Sequence, residues 1–259
     1  MTASVSFDRA ADFYDQTRIL PKGMLEKGVP LILEHAGPGG LILDVGAGTG
    51  RISVPLLERG ANLIGCDLSR EMMTHLRAKR PATRLAQADA VHLPFPSGQF
   101  DVVMTVHVMH LVANWQTALR EFKRLLKPGG KYVYPGAVES APSLSSGVRE
   151  RWRQRVKELG AEWRRPGVQR GELLAEIERI GASVETVEIE HVTQSRLTPR
   201  ELMDGLGRRI FSDTWHVPDD ILQQSVREVR EWAEAALGDL DRPTPEDTHL
   251  VIDLIRFNA

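Results

Sequence analysis

Short apolar runs alternate with amphipathic stretches along this chain, and the alternation predicts a doubly wound α/β sheet. Strands are expected at 41–45, 62–66, 83–87, 101–106, 130–134, 184–191 and 249–257, with helices at 51–59, 69–79 and 115–126 between them. Leu41-Ile42-Leu43-Asp44-Val45 is short and almost wholly apolar, as a strand buried on both faces requires. Ser69 stands where an N-cap is needed, with Glu71 in the first turn behind it. The last run, His249 to Phe257, alternates only in part.

The second half adds helical material to this plan. A segment at 137–181 carries helix-like stretches around 149–159 and 171–180. Another, 198–247, contains an amphipathic pattern opened by Pro218, running through Ile221, Leu222, Ser225, Val226, Val229, Trp232, Ala233, Ala236 and Leu237, and stopped by Gly238. Together with an N-terminal lid at 1–35, these are expected to cap the carboxyl edge of the sheet, where open α/β folds bind ligands, within a single domain spanning 1–259. A cap of this kind suits a small enclosed substrate rather than a polymer.

Composition narrows the classes. With 259 residues, 42% of them hydrophobic, the chain is long enough to bury one sizeable core. A net charge of -2 gives no global attraction to nucleic acid or to an anionic membrane. Met1 to Gln16 carries charges throughout, so neither a signal peptide nor an anchor is expected there, and no apolar run has the length of a bilayer span. The expectation is a cytoplasmic protein. Its lone cysteine, Cys66, permits no disulfide within the chain and suits a small buried filler at a strand end. Arg149, Arg151, Arg153 and Arg155 do not form one basic face, because steps of two residues place Arg149 and Arg153 on one side of a helix and the other pair opposite. Trp152 and Trp163 read as packing residues before they read as substrate walls.

The chemistry concentrates where the first apolar run breaks into Gly46-Ala47-Gly48-Thr49-Gly50. Gly46 and Gly48 permit a tight turn and close approach of backbone to a ligand, and Asp67 follows Gly46 by twenty-one residues at the end of Leu63-Ile64-Gly65-Cys66. That spacing suits a carboxylate accepting hydrogen bonds from a ribose. A dinucleotide loop has the spacing G-x-G-x-x-G, whereas here it is G-x-G-x-G with Asp44 at its base. A buried carboxylate is unwelcome beside a diphosphate and useful beside an ammonium, and S-adenosylmethionine carries an ammonium and no phosphate.

These residues resemble the class I S-adenosylmethionine-dependent methyltransferases. Asp44 to Gly50 is similar to the glycine-rich first motif, and Gly65-Cys66-Asp67-Leu68-Ser69 to the acidic second motif. Ala88-Asp89-Ala90-Val91-His92-Leu93-Pro94-Phe95 and Phe100-Asp101-Val102-Val103 resemble the adenine-edge loop and fourth strand of the small-molecule subgroup that includes ubiquinone and menaquinone biosynthesis enzymes, and Leu125 to Lys131 resembles the turn into the fifth strand. The resemblance covers roughly the first half. It implies a Rossmann-like, seven-stranded doubly wound sheet, mostly parallel with an antiparallel last strand, and S-adenosylmethionine as methyl donor with S-adenosylhomocysteine as product. It further implies cofactor contacts from Tyr14, Asp44, Gly46, Ala47, Gly48, Asp67, Leu68, Asp89, Ala90, Val106 and His107. Phe7 to Arg18 is similar to the family's lid helix; the competing reading is the apolar stripe of an ordinary packed helix.

A hydroxyl or phenol acceptor also needs a proton acceptor, for which histidine is the usual choice. His107 is the first candidate base and His216, in the helical insertion, the second, while the resemblance implies a structural role for His110. Catalysis by proximity alone is the alternative to both. No metal centre is expected at His107 and His110, because no third ligand clusters beside them in sequence. No Asn-Pro-Pro-Tyr or Asp-Pro-Pro-Tyr follows the fourth strand, Cys66 is misplaced for cytosine C5 methylation, and one thiol is too few for arsenic methylation. What remains is O-, N- or C-methylation of a small molecule, with no nucleic-acid or membrane partner expected. A non-catalytic protein binding the same cofactor or its product is the competing class, and a nicotinamide-dependent dehydrogenase is disfavoured by the glycine spacing. Neither the acceptor nor the oligomeric state is readable from the sequence.

Overall fold

The computed structural model describes residues 6–8, 11, 14–17, 20–140, 143–162 and 167–258. They form a seven-stranded sheet from β1 (Leu41–Val45), β2 (Asn62–Asp67), β3 (Arg84–Gln87), β4 (Phe100–Thr105), β5 (Leu126–Glu139), β6 (Ser183–Gln194) and β7 (Pro245–Arg256), in the order β3-β2-β1-β4-β5-β7-β6. The pairs β1 with β2, β1 with β4, β2 with β3 and β4 with β5 are parallel, and antiparallel pairing enters with the last strands. The order reverses between β1 and β4, creating the crevice at which open α/β sheets take their ligands. Residues of the chain cluster as two compact units, one comprising 1–136, 166–190 and 250–259, the other 137–165 and 191–249.

In the first unit the two-residue side-chain period of the strands sorts the core onto the two faces of the sheet. Leu43, Val45, Cys66, Val103 and Tyr132 join one cluster, which α5 (Trp115–Leu125) completes with Ala118, Leu119, Phe122 and Leu125. Ile42, Leu63, Val102, Met104 and Val133 join the other, closed by Ile32 of α2 (Val29–Ala36) and Leu56 of α3 (Ser53–Glu58). Each such aliphatic or aromatic side chain, fully buried, contributes about 1.5–3 kcal/mol. The Ser69 hydroxyl accepts from the Met72 amide at 3.1 Å and so caps α4 (Arg70–Lys79) as the sequence suggests. Cys66 is a buried filler within this core.

Several boundaries differ from expectation, and β6 and β7 are longer than expected, reaching Gln194 and starting at Pro245. The strand expected at 130–134 begins at Leu126, because Leu126 pairs with Phe100 before the Pro128-Gly129-Gly130 irregularity and Lys131 with Val102 after it. The expected insertion 137–181 divides: α7 (Arg170–Arg179) belongs to the first unit, since Leu173 and Ile177 bury into the Phe122–Tyr132 cluster. Of the expected N-terminal lid helix, the structure describes α1 (Tyr14–Thr17); residues 9, 10, 12, 13 and 18 lie outside the described residues.

The second unit has its own core. Within it α6 (Leu144–Glu158), α8 (Pro199–Gly207) and α9 (Asp219–Leu237) bury Val148, Trp152, Val156, Leu202, Met203, Leu206, Leu222, Val229 and Ala233 against one another. Trp152 is a packing residue, its indole N–H donating to Ser225 Oγ at 3.0 Å. Arg149 and Arg153 share the side facing Asp213, at 2.9 and 3.4 Å, while Arg155 pairs with Glu228 and Arg151 lies over Trp232, both on α9. Trp163, Arg164 and Arg165 lie outside the described residues. Among the described residues no helix is long and apolar enough to cross a membrane.

Candidate active site

The loop after β1 is held from beneath: the amides of Gly46 and Ala47 both donate to the carbonyl of Cys66, at 2.8 and 2.9 Å. Gly46 takes φ of +77°, and a Cβ there would stand 2.1 Å from Val108 Cγ2. No other residue type combines that backbone with that neighbour. The β1 and β4 loops therefore close on each other through a missing side chain, which leaves room for a ligand above.

Asp67 ends β2 with both carboxylate oxygens held by backbone, Oδ2 accepting from the Gly48 amide and Oδ1 from the Ser69 amide, each at 2.8 Å. Burial raises its pKa despite those amides. Each oxygen keeps a further lone pair for a ligand hydroxyl, so the carboxylate is positioned and still wants donors. The third edge comes from the segment after β3, where Asp89 Oδ1 accepts from the Val91 amide at 3.2 Å and Asp89 bridges to His92. Arg124 and Glu121 of α5 pin this segment from outside: Arg124 donates to the carbonyls of Leu93 and Phe95, and Glu121 accepts from the Leu93 amide.

These edges surround a pocket, open to solvent, at the carboxyl ends of β1, β2, β3 and β4, with all its lining residues in the first unit. Of the expected site residues, Tyr14, Gly46, Gly48, Asp67, Leu68, Asp89, Ala90, Val106 and His107 line it. Ala47 turns away from it into the core, and Asp44, 2% exposed, stands beneath the loop with its carboxylate accepting from Ser53 Oγ at 2.5 Å. Asp44 thus joins the loop to α3, and burial pushes its pKa up to about 7. His216 lies in the second unit, exposed, on the turn after Ser212–Thr214.

The structure adds pocket residues that sequence reasoning missed: Phe7, Met72, Val108, Leu111 and Val112. Met72 was readable as the first inward position after the Ser69 cap. Leu111 and Val112 were not, because they reach the pocket through an irregular 3₁₀ turn, Met109–Leu111. That turn follows His107, whose φ of +57° is unusual for a residue with a side chain. Backbone strain of about 1–3 kcal/mol gathers at functional sites of this kind.

The N-terminal segment is fastened over the loop by carboxylates. Asp15 accepts from Thr49 Oγ1 and pairs with Lys79, both at 2.5 Å, Lys79 also donates to the Thr49 carbonyl at 2.8 Å, and Asp8 accepts from the Ser69 hydroxyl. Phe7 meets Tyr14 edge to face with centroids 6.0 Å apart, and Arg51 lies over the Tyr14 ring.

Comparison with known proteins gives this architecture a family. Residues 43–134 match a family model described as a methyltransferase domain. They are a methyltransferase domain of the class I type. The methyltransferase domain accounts for β1 through most of β5 and for every pocket edge described above except the N-terminal segment. The chain is 35% identical over 130 residues to a demethylmenaquinone methyltransferase of Beutenbergia cavernae, covering 49% of this chain and 54% of that protein. It is 30% identical over 166 residues to a malonyl-[acyl-carrier protein] O-methyltransferase of Erwinia pyrifoliae, covering 63% of this chain and 56% of the relative. The chain thus spans about half the length of the curated relatives it matches. A putative methyltransferase from an antibiotic biosynthesis pathway of Anabaena variabilis shares the fold, with a TM-score of 0.62 at 16% identity over 92% of this chain and 98% of that one.

Proposed function

We propose that this protein transfers a methyl group from S-adenosylmethionine to a small-molecule acceptor by in-line displacement. The observation that carries the reading is Asp67, a desolvated carboxylate clamped by two amides inside the glycine-loop pocket, with a free lone pair on each oxygen for the two hydroxyls of a ribose. Bound there, S-adenosylmethionine supplies an electrophilic methyl group on a sulfonium sulfur. Gly46 and Gly48 give its methionine portion room beneath, Leu68 and Ala90 offer apolar surface, and Asp89 faces its adenine edge. Tyr14 and Phe7 close the pocket from the N-terminal side.

For the reaction itself the chain's contribution is orientation and exclusion of water. Holding the acceptor in line with the methyl is worth about 7–11 kcal/mol of the barrier. An O–H acceptor must also lose its proton, and His107, presented to the pocket by its left-handed backbone, takes it in this reading. The test is S-adenosylmethionine labelled on the methyl, offered with a panel of small phenols, hydroxy acids, amines and activated carbon acids. Label appearing in an organic product with S-adenosylhomocysteine in equal amount is expected. Cofactor binding without label transfer to any acceptor would instead establish a binding protein. His107→Asn keeps a residue that tolerates positive φ. It should lower the turnover of a hydroxyl acceptor by about a hundredfold or more while leaving cofactor affinity unchanged.

A further inference from the structure

The second unit carries a cluster that the methyl-transfer reading does not use. Asp247 and His249 are two residues apart on β7 and so project from one face of the strand, while Thr248 between them is buried on the other. His191 lies on β6, the neighbouring strand. The two imidazole rings stack with centroids 4.4 Å apart and planes 3° from parallel, turning their Nε2 atoms to one carboxylate oxygen. His191 Nε2 is 2.7 Å and His249 Nε2 3.8 Å from Asp247 Oδ1, and all three donor atoms lie within 4.8 Å of one another.

We propose that His191, Asp247 and His249 bind a divalent first-row transition cation of the zinc class. Donors bound tetrahedrally at about 2.0–2.1 Å from a zinc ion stand roughly 3.3 Å apart; the two distances to Asp247 Oδ1 fall on either side of that value, and the two Nε2 atoms lie within 4.8 Å of each other. Binding requires the two rings to tilt out of their stack, so that both in-plane Nε2 lone pairs meet the ion beside Asp247. Two imidazoles and a carboxylate suit zinc, nickel or copper, whereas magnesium and calcium want all-oxygen shells. The donor set carries one negative charge against two positive, and water fills the remaining position, since the side chains are 45%, 50% and 30% exposed. Ser140 braces the strand that carries the carboxylate, its amide donating to the Asp247 backbone carbonyl at 2.9 Å. Among the described residues this is the one place where three such donors converge. Sequence reasoning sought a third ligand near His107 and missed this group because His191 is separated from Asp247 by 56 positions and the strands alone bring them together.

The experiment is calorimetric titration of the chelator-treated full chain with zinc chloride. One ion per chain is expected, with affinity falling roughly a hundredfold in His191→Ala and in His249→Ala and unchanged in His75→Ala. The wild type alone gives a second reading: zinc should shift the imidazole nitrogen resonances of His191 and His249 and leave those of the other histidines in place. Absence of saturable binding, equal binding by the variants, or shifts at other histidines would overturn the site and leave a cross-strand hydrogen bond.

Discussion

Two aspartates, one from each of the first two motifs, have opposite duties, and the surroundings of each explain why. Asp67 is held by amides and faces the pocket, whereas Asp44 is sealed beneath the loop with Ser53 as its partner. Because the folded pKa of Asp44, about 7, lies above the ordinary 3.8, its ionisation costs stability. That cost is absent in acid, grows as pH rises from about 4 to about 7, and is complete above that. Asp44→Asn should therefore gain thermal stability relative to the wild type across that window, with the difference levelling off on the alkaline side. Melting temperatures of both proteins measured across the pH range would show it; a constant difference would mean that Asp44 is ionised as an ordinary carboxylate. Asp67, Asp89 and the glycines were legible because motif spacing fixes them relative to strand ends. The packing of Val108 against the bare Cα of Gly46 was not, since it depends on how two loops far apart in the chain meet.

At the scale of elements, the described residues of the N-terminal segment reach the methyltransferase domain through the Asp8 and Asp15 carboxylates, beside a buried Ala11 and the Phe7–Tyr14 ring pair. The Asp15 carboxylate titrates below its usual value: burial opposes this, and the hydrogen bonds from Lys79 and Thr49 outweigh it. An ion pair this exposed contributes only about 0.2–1 kcal/mol, so it suits a latch better than a structural pin. Asp15→Asn should leave the fold intact and speed release of S-adenosylhomocysteine a few-fold, measured by stopped-flow fluorescence. An unchanged release rate would assign the segment to packing alone. Strands β1 and β2 were read almost to the residue, because buried parallel strands bounded by glycine and a cap carry a strong signal. Helix α8 went unread although its capping box, Thr198 with Glu201, stands in the sequence; the apolar pattern after it is short, and nothing local says whether it packs. The start of β5 was missed for the opposite reason, since pairing with β4 overrode a Pro-Gly-Gly stretch that reads locally as a turn.

At the scale of the whole molecule, the chain builds two cores where its length and composition are satisfied by one. Three of the four chain crossings between the units fall within β5, β6 and β7, each of which contributes residues to both, and the fourth, at 165/166, lies outside the described residues. For that reason no shift in composition announces the boundary. Trp152→Ala should remove about 3–5 kcal/mol from the second unit, and hydrogen exchange should quicken within 137–165 and 191–249 while the amides of β1, β2 and β4 keep their protection. Uniform loosening of all strands would mean that the two cores unfold as one. The central claim concerns the first unit, and its most direct test is calorimetric binding of S-adenosylmethionine and S-adenosylhomocysteine to the wild type and Asp67→Ala, with NAD as the control. Binding of both sulfur ligands, none of NAD, and an affinity roughly tenfold or more weaker in the variant is the predicted result. Equal affinity in the two proteins, or binding of NAD in place of the sulfur ligands, would contradict it.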